Sequence, residues 1–413
     1  MRIKPIQINY LDIAICLFAI NIFVPAYQYY VPSSIRYLIL FISFGFYCLT
    51  LLKLPSKIFQ QAIISVILIA LLTFLVYMAN FIAYTTFIKK LISMFEFWYG
   101  LLLANALLVT NNCHRKTIFR FVIFLLIFTS ITTINGNIIY PHASRILAQV
   151  SNYKMKMEPL YNKTNIGNFG FAYSLVLTAP LLLFIEKKER VTIKKFVYYA
   201  IIALFIYCLV MTEYTIGIIL VILYSLVILL IKEKNIEKLP RYLLLGSIVC
   251  ILLLFLFGGV VSDAIKALCM NIDSTLIRAK LYSISEVIAG SGINAGTDFY
   301  SRMTLYIDSF KCIFKYPLVG SWLFGAGKIG GHSEILDLLG GTGIIGLFSV
   351  LYIVRTWWRN CMVSNSNELK KHVTIVVIIM LILSFLNPVF SNIQLGFTTF
   401  LLPVLADYET SEK

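Results

Sequence analysis

Long apolar runs alternate with short polar segments along almost the whole chain. The runs are about 17–20 residues long, and an α-helix needs that length to cross about 30 Å of hydrocarbon. The sequence therefore predicts an all-α polytopic membrane protein with about twelve transmembrane helices. Their expected limits are 8–24, 35–52, 58–79, 91–110, 118–136, 167–185, 195–211, 213–231, 242–261, 342–359, 372–387 and 392–407.

Two polar segments are too long to be simple connectors. They span about 137–166 and about 262–341, the second lying between helices nine and ten. Within the second, apolar residues recur every three to four positions at 265–288 and 302–314, which predicts amphipathic helices near the membrane surface. Glycine-rich stretches between them suggest a lid over an outer cavity. Three regions follow: 1–261 with helices one to nine, 262–341 as a large outer loop, and 342–413 with helices ten to twelve and the tail.

Composition and charge agree with this class. The chain is 60% hydrophobic and 13% charged, whereas soluble domains are nearer 45–50% apolar and about 25% charged. Lysine and arginine concentrate in alternate short segments, which predicts that those segments and both termini are cytoplasmic. The two long segments then lie on the outer face. The net charge of +16 is explained by this topology, so we predict no nucleic-acid partner.

His332 is the main catalytic candidate. It lies near the end of the large outer loop, and an imidazole titrates near neutral pH and can act as a general base toward a hydroxyl group. Ser333, Glu334 and Asp337 cluster beside it. The alternative is a hydrogen-bonded histidine at the membrane interface with no role in catalysis.

Arg302 and Arg145 are candidate ligands for a diphosphate, because a guanidinium stays charged and binds phosphate through two parallel hydrogen bonds. Each comes from one of the two long outer segments. Arg302 could instead pair with Asp298 or Asp308. Glu96 falls inside a predicted span, where a carboxylate indicates function or a buried partner unless the helix boundary is shifted.

The sequence predicts no metal and no cofactor, because the eight cysteines and four histidines lack metal-ligand spacing. A disulfide between Cys269 and Cys312 remains an option in an oxidising compartment. Residues 341–346 match the dinucleotide-binding fingerprint in letters, but that fingerprint needs a preceding strand. We interpret these glycines as sites of close helix packing.

The residues around His332 resemble the O-antigen ligase and O-antigen polymerase superfamily. The resemblance covers about residues 300–347. It is carried by the histidine motif, His332-Ser333 followed by Gly343 and Gly346-Leu347, by the arginine segment Ser301-Arg302-Met303-Thr304-Leu305-Tyr306, and by the turn Pro317-Leu318-Val319-Gly320. The number of spans and the late, large outer loop are also similar.

This resemblance implies glycosyl transfer at the outer leaflet of a bacterial inner (plasma) membrane. The donor would be a polyprenyl-diphosphate-linked oligosaccharide, held with membrane lipid around it. His332 would be the general base, and Arg302 and Arg145, with Tyr306 and Glu334, would bind the diphosphate and sugar without a metal. A flippase and a chain-length regulator are expected partners. One feature departs from the family, because the short turn between spans seven and eight carries Glu213 instead of an arginine.

Three functions stay open at this point. We favour a polymerase that joins repeat units into O-antigen or capsular polysaccharide. A ligase that moves the finished chain to a lipid A core shares the same fold and motif. A polysaccharide transporter or flippase is the third reading, although matched halves and midplane charges typical of transporters are not evident.

Overall fold

The protein is all-helical throughout the residues that the computed structural model describes, namely 9–80, 84–110, 114–148, 152–230, 257–270, 275–289, 298–321, 329–363, 366–390 and 392–411. The first helices are α1 (Tyr10–Phe23), α2 (Pro25–Tyr30), α3 (Ser33–Leu51), α4 (Ser56–Asn80), α5 (Tyr84–Val109), α6 (Arg115–Ile139), α7 (Ala143–Ala148), α8 (Asn152–Lys163), α9 (Phe169–Lys188), α10 (Thr192–Met211) and α11 (Thr215–Leu230). Residues 257–270 form α12. The last helices are α13 (Thr275–Ile288), α14 (Asp298–Lys315), α15 (Glu334–Val363), α16 (Asn367–Leu386), α17 (Ile393–Phe400) and α18 (Leu402–Ser411).

Eight of these helices are long and apolar enough to cross a membrane: α3, α4, α5, α6, α9, α10, α15 and α16. Each coincides with a predicted span. Three shorter apolar stretches, in α1, in α11 and across α17 and α18, coincide with predicted spans one, eight and twelve. Most of predicted span nine lies outside the described residues. The chain is therefore an α-helical polytopic membrane protein, and the total of twelve spans stays a prediction.

Helix α9 lies at the centre of the bundle and α10 at its edge. In the apolar window of α9, 89% of residues are buried, against 17% in α10. The difference follows from their side chains, because α10 carries exposed Phe196, Tyr199 and Tyr207, as a helix facing lipid does. An aromatic cluster packs α1, α5 and α17 together, with Phe18 and Phe23 of α1 both contacting Phe397.

Helix α15 begins at Glu334, eight residues before the predicted start of span ten at residue 342. The helix breaks at Gly343, where φ is 60° and ψ is −157°, a conformation reserved for glycine. The turn after α14 fills the break: Ile344 N–H donates to the Pro317 carbonyl at 3.1 Å. A Cβ on Gly343 would lie 2.5 Å from the Leu318 carbonyl oxygen. The expected close packing of these glycines is thus confirmed, and the packed neighbour is a turn.

The two long polar segments are folded into helices. Residues 137–166 contain α7 and α8, which close a small separate core of Ala143, Leu147, Tyr161 and Ile166. The described parts of the two regions predicted as amphipathic helices are helical, as α12 and α13 for the first and α14 for the second, and their location near the membrane surface stays a prediction. The glycine-rich stretches of the predicted lid, at 290–297 and 325–327, lie outside the described residues.

Candidate functional site

One face of α14 carries the arginine segment. Arg302, Tyr306 and Ser309 are spaced four and three residues apart, so they share that face. The side chain of Arg302 is hydrogen-bonded to Tyr306. Ser309 Oγ donates to Asp337 Oδ1 of α15 at 2.5 Å, and the Gly330 N–H donates to Ser309 Oγ at 3.0 Å. The face of α14 that bears Arg302 is therefore fixed against the segment that leads into α15.

His332 lies in this segment, just before the first turn of α15. Ser333 caps the helix: its Oγ accepts a hydrogen bond from the Leu336 N–H at 3.4 Å, and its own N–H donates to Asp337 Oδ2 at 3.1 Å. Reciprocal bonds of this kind fix the direction of a chain entering a helix. His332 is half-buried. Two residues earlier, Gly330 lies so close to α14 that a Cβ there would be 2.1 Å from the Leu305 carbonyl oxygen.

Glu334 contacts the turn between α16 and α17. Its Oε2 accepts a hydrogen bond from the Phe390 N–H at 3.0 Å, and its own N–H donates to the Asn387 carbonyl at 3.3 Å. Asn387 in turn donates from Nδ2 to the Tyr173 hydroxyl at 3.1 Å. Glu334, expected to bind substrate, is thus held by a backbone contact that positions the start of α15 beside α9.

Two tyrosines connect the two candidate arginines. The rings of Tyr173 and Tyr214 stack with centroids 6.2 Å apart, and Phe169 packs edge-on against both. Arg302 acts electrostatically on the Tyr173 phenol, and Arg145 acts on the Tyr214 phenol. The two arginines, drawn from the two long polar segments, therefore flank one aromatic pair. We call this the arginine–tyrosine site; it comprises Arg145, Tyr173, Tyr214, Arg302 and Tyr306.

Arg145 is positioned by its neighbour Ser144, and no carboxylate of the described residues forms an ion pair with it. The Tyr214 hydroxyl donates to the Ser144 carbonyl at 3.3 Å, which docks α7 against the start of α11. The Nε atom of Arg145 is buried and has no hydrogen-bond partner within the described part of the chain. A buried guanidinium nitrogen without an acceptor is costly, and an anionic ligand would relieve that cost.

The tyrosines of the site remain neutral. Burial raises the pKa of Tyr214 well above its ordinary value, and the nearby Arg145 lowers it by a smaller amount. Burial also raises the pKa of Tyr306, with Asp337 raising it further and Arg302 opposing the shift. Both phenols therefore keep their protons at physiological pH and can donate hydrogen bonds.

Glu213 faces His142 at one end of the site. His142 Nδ1 and Glu213 Oε2 are 3.0 Å apart, with side chains 59% and 21% exposed. Both residues have left-handed backbone, with φ of 65° and 58°. Non-glycine residues in this conformation are uncommon and are found mostly in turns and at functional sites. Glu213 therefore pairs with His142, three residues before Arg145. It does not supply a further cation for a diphosphate.

Several other expectations have plain outcomes. Asp308, one alternative partner for Arg302, forms an ion pair with Lys311 at 3.7 Å. The side chain of Asp298 lies outside what the structure describes. Cys269 and Cys312 are not joined by a disulfide. The described residues bring together no group of three metal-ligating side chains, and the absence of a metal stays a prediction.

Sequence reasoning missed Tyr173 and Tyr214. Aromatic residues near the ends of spans are usually interface anchors, so the two tyrosines carried no distinctive signal. Asp337 was named beside His332, but its hydrogen bond with the Ser333 N–H was not predicted, because the acid lies four residues after Ser333 and a capping box has a spacing of three. Comparison of the chain with models of known protein families and with curated proteins gave no match.

Proposed function

We propose that the protein is a glycosyltransferase of the outer leaflet of a bacterial inner membrane, which polymerises polyprenyl-diphosphate-linked oligosaccharide repeat units. The observation that carries this proposal is the convergence of Arg145 and Arg302 on the Tyr173–Tyr214 pair. The two cations come from segments far apart in the chain and form no ion pair with a carboxylate of the described residues. A diphosphate group supplies the charge that this arrangement lacks.

The proposed reaction uses His332 as the general base. An acceptor hydroxyl loses its proton to the imidazole as its oxygen attacks the anomeric carbon of the donor. The bond between that carbon and the diphosphate oxygen breaks, and the polyprenyl diphosphate leaves with both bonding electrons. Attack from the opposite face inverts the configuration. Arg302 and Arg145 stabilise the negative charge that develops on the leaving oxygen, a role that needs fixed donors already desolvated.

Tyr306 and Glu334 have supporting roles in this proposal. Tyr306 remains a neutral donor next to Arg302 and is placed to bind a diphosphate or sugar oxygen. Glu334 uses one carboxylate oxygen on the Phe390 N–H. We therefore assign Glu334 a positioning role for the α15 start that carries His332.

The test is a reconstituted assay with the full chain in nanodiscs, a polyprenyl-diphosphate-linked repeat unit and a metal chelator. We expect a ladder of glycan products on gels. His332→Gln should lower the rate at least about 100-fold, because general-base catalysis contributes on the order of 10²–10⁴. His114→Gln is the matched control. His114 pairs with Asp12 at 2.8 Å near the starts of α6 and α1, which are the ends of these helices away from the arginine–tyrosine site.

The outcomes separate the competing functions. A ladder that H332Q forms as fast as the wild type contradicts the role of the histidine. Transfer only to a lipid A core acceptor, with no ladder, identifies a ligase. Movement of the lipid-linked unit between leaflets without any new glycosidic bond identifies a transporter.

A further inference from the structure

A polar cavity lies away from the arginine–tyrosine site, between α1, α3, α5 and α17. Its volume is about 230 Å³. Most of its lining is polar, which is unusual for a space between apolar helices. The lining residues used below are Asn21, Gln28, Arg36, Ser93, Glu96 and Gln394.

The cavity opens at the same end of the bundle as the arginine–tyrosine site. Gln28 belongs to α2, which packs against α8, and the Ala26 N–H donates to Asn165 Oδ1 at 2.9 Å. Gln394 lies at the start of α17 beside Gly170 of α9, where an added Cβ would be 2.4 Å from Gln394 Oε1. Tyr173 lies one turn further along α9. Gln394 of the cavity thus lies against the helix that carries Tyr173.

Buried polar atoms in the cavity lack partners. Glu96 is 8% exposed, and its Oε1 accepts a hydrogen bond from Asn21 Nδ2 at 3.2 Å. Asn21 is 7% exposed, and its Oδ1 has no partner in the described structure. The same is true of Arg36 Nε, although Arg36 interacts electrostatically with Glu96. Buried polar groups are otherwise almost always hydrogen-bonded, so these atoms are expected to bind water or a polar ligand.

The charges of the cavity select against an ionic ligand. An ionised Glu96 offsets the charge of Arg36, so in that state the lining is close to neutral overall. A phosphate or carboxylate attracted by Arg36 would be repelled by the ionised Glu96. A cation attracted by Glu96 would be repelled by Arg36. A ring bearing several hydroxyl groups, in contrast, both donates to oxygens such as Asn21 Oδ1 and accepts from guanidinium and amide nitrogens. The volume is below the roughly 300–1,000 Å³ of pockets for drug-sized ligands, so it suits one such ring.

We propose that this cavity binds a single neutral pyranose ring. Its role as a subsite for one sugar of the glycan, next to the transfer site, rests on the proposed function. Binding of the ring itself does not rest on the proposed function, because the lining residues alone determine that binding.

The experiment measures binding in the absence of any donor. Saturation-transfer difference NMR is recorded on the full chain in phosphatidylcholine nanodiscs, with a panel of neutral methyl hexopyranosides and the methyl glycoside of one uronic acid. We expect at least one neutral glycoside to bind and the uronic acid to bind at least about tenfold more weakly. Glu96→Gln, which removes the charge of the carboxylate, should narrow this preference at least threefold.

Two further variants guard against misfolding. Asn21→Leu removes an unpartnered oxygen and should weaken binding about tenfold, while Asn105→Leu, which loses a 3.0 Å bond to Asn360 elsewhere, should not. Ser93→Phe fills the space and leaves Asn21, Arg36 and Glu96 intact, so it should abolish binding without lowering the unfolding temperature.

Several results would overturn the proposal: no neutral glycoside binds, the uronic acid binds best, or Ser93→Phe binds as the wild type does. Loss of the sugar signal in phosphatidylglycerol nanodiscs would assign the cavity to a lipid head group and also overturn it. Failure of polymerisation alone, with sugar binding intact, would contradict the proposed function and leave the pyranose site standing.

Discussion

The arginine–tyrosine site and the cavity between α1, α3, α5 and α17 are both polar, both partly buried and adjacent, yet they are charged differently. The first brings together Arg145 and Arg302, and among the described residues neither forms an ion pair with a carboxylate. The second sets Arg36 against Glu96. A site with excess positive charge is stabilised by a polyanion, whereas a balanced site gains nothing from one and favours ligands that exchange hydrogen bonds.

The difference shows how a membrane protein can use arginine in two ways. The neutral tyrosines beside Arg145 and Arg302 do not cancel the arginine charges, which in the proposed function are offset by an anion. A carboxylate within electrostatic reach cancels the charge and leaves only the hydrogen-bonding geometry. The residue type is the same, and the neighbour decides what is bound.

The largest effect should come from Arg302. Arg302→Gln is expected to lower the transfer rate by about 100- to 1,000-fold, which corresponds to about 3–4 kcal/mol of transition-state stabilisation. Arg302→Lys should recover only part of this, because lysine cannot form the paired contact to phosphate. Sugar binding in the cavity should not change in either variant. Initial rates and NMR binding on the same preparations test this, and equal losses in both readouts would refute the independence of the two sites.

Gly343→Ala should disrupt the arginine–tyrosine site through the fold. Its backbone conformation and its contact with the Leu318 carbonyl leave no room for a side chain, and we expect a loss of about 3 kcal/mol. Gly45→Ala is the matched control, since no atom lies within 4 Å of a Cβ built there. Thermal unfolding in detergent measures both, and a Gly343→Ala protein as stable as Gly45→Ala would mean that the break in α15 is not required.

Tyr214→Phe should have an intermediate effect. It removes the hydrogen bond to the Ser144 carbonyl that docks α7 and so misplaces Arg145. We expect the activation free energy of transfer to rise by about 1–2 kcal/mol. Burial raises the Tyr214 pKa in the folded protein, so its contribution to stability is complete below the unfolded value of about 10 and is lost only at higher pH. The ratio of variant to wild-type rates should therefore be constant from about pH 6 to about pH 9. A ratio that changes within that range would show that another group is responsible.

The smallest effect is expected at Glu213. Its partner His142 is more than half exposed, and pairs with an exposed member contribute less than about 1 kcal/mol. Glu213→Gln should thus leave stability unchanged and affect the donor KM less than threefold. A strong gain in donor affinity would show that this acid offsets the charge of Arg145, and would weaken the contrast between the two sites.

Much of the helical architecture could be predicted because its causes are local. Apolar length locates a span, and three- to four-residue periodicity locates α13 and α14, whatever the rest of the chain does. The grouping of Arg302 with Tyr306 follows from the same periodicity. The segment with His332 packs on the face of α14 that bears Arg302. This contact could be expected because α14 and α15 are neighbours in sequence.

The rest depends on distant pairs that no local pattern reveals. Asn21 and Glu96 are separated by 75 residues, and Tyr173 and Asn387 by 214. The polarity of Glu96 did mark it as unusual inside a span. Its partners could not be named, because which helices meet is decided by packing of the whole bundle. The break at Gly343 was hidden for a similar reason, since the turn that fills it lies more than twenty residues earlier.

The break in α15 also has a mechanical consequence. Ile344 and Ile345 donate their amide hydrogens to carbonyls of Pro317 and Leu318, so the part of α15 after the break is tethered to the turn that follows α14. A displacement of α14 must therefore break these hydrogen bonds or carry that part of α15 with it. The two helices form one mechanical unit at this joint.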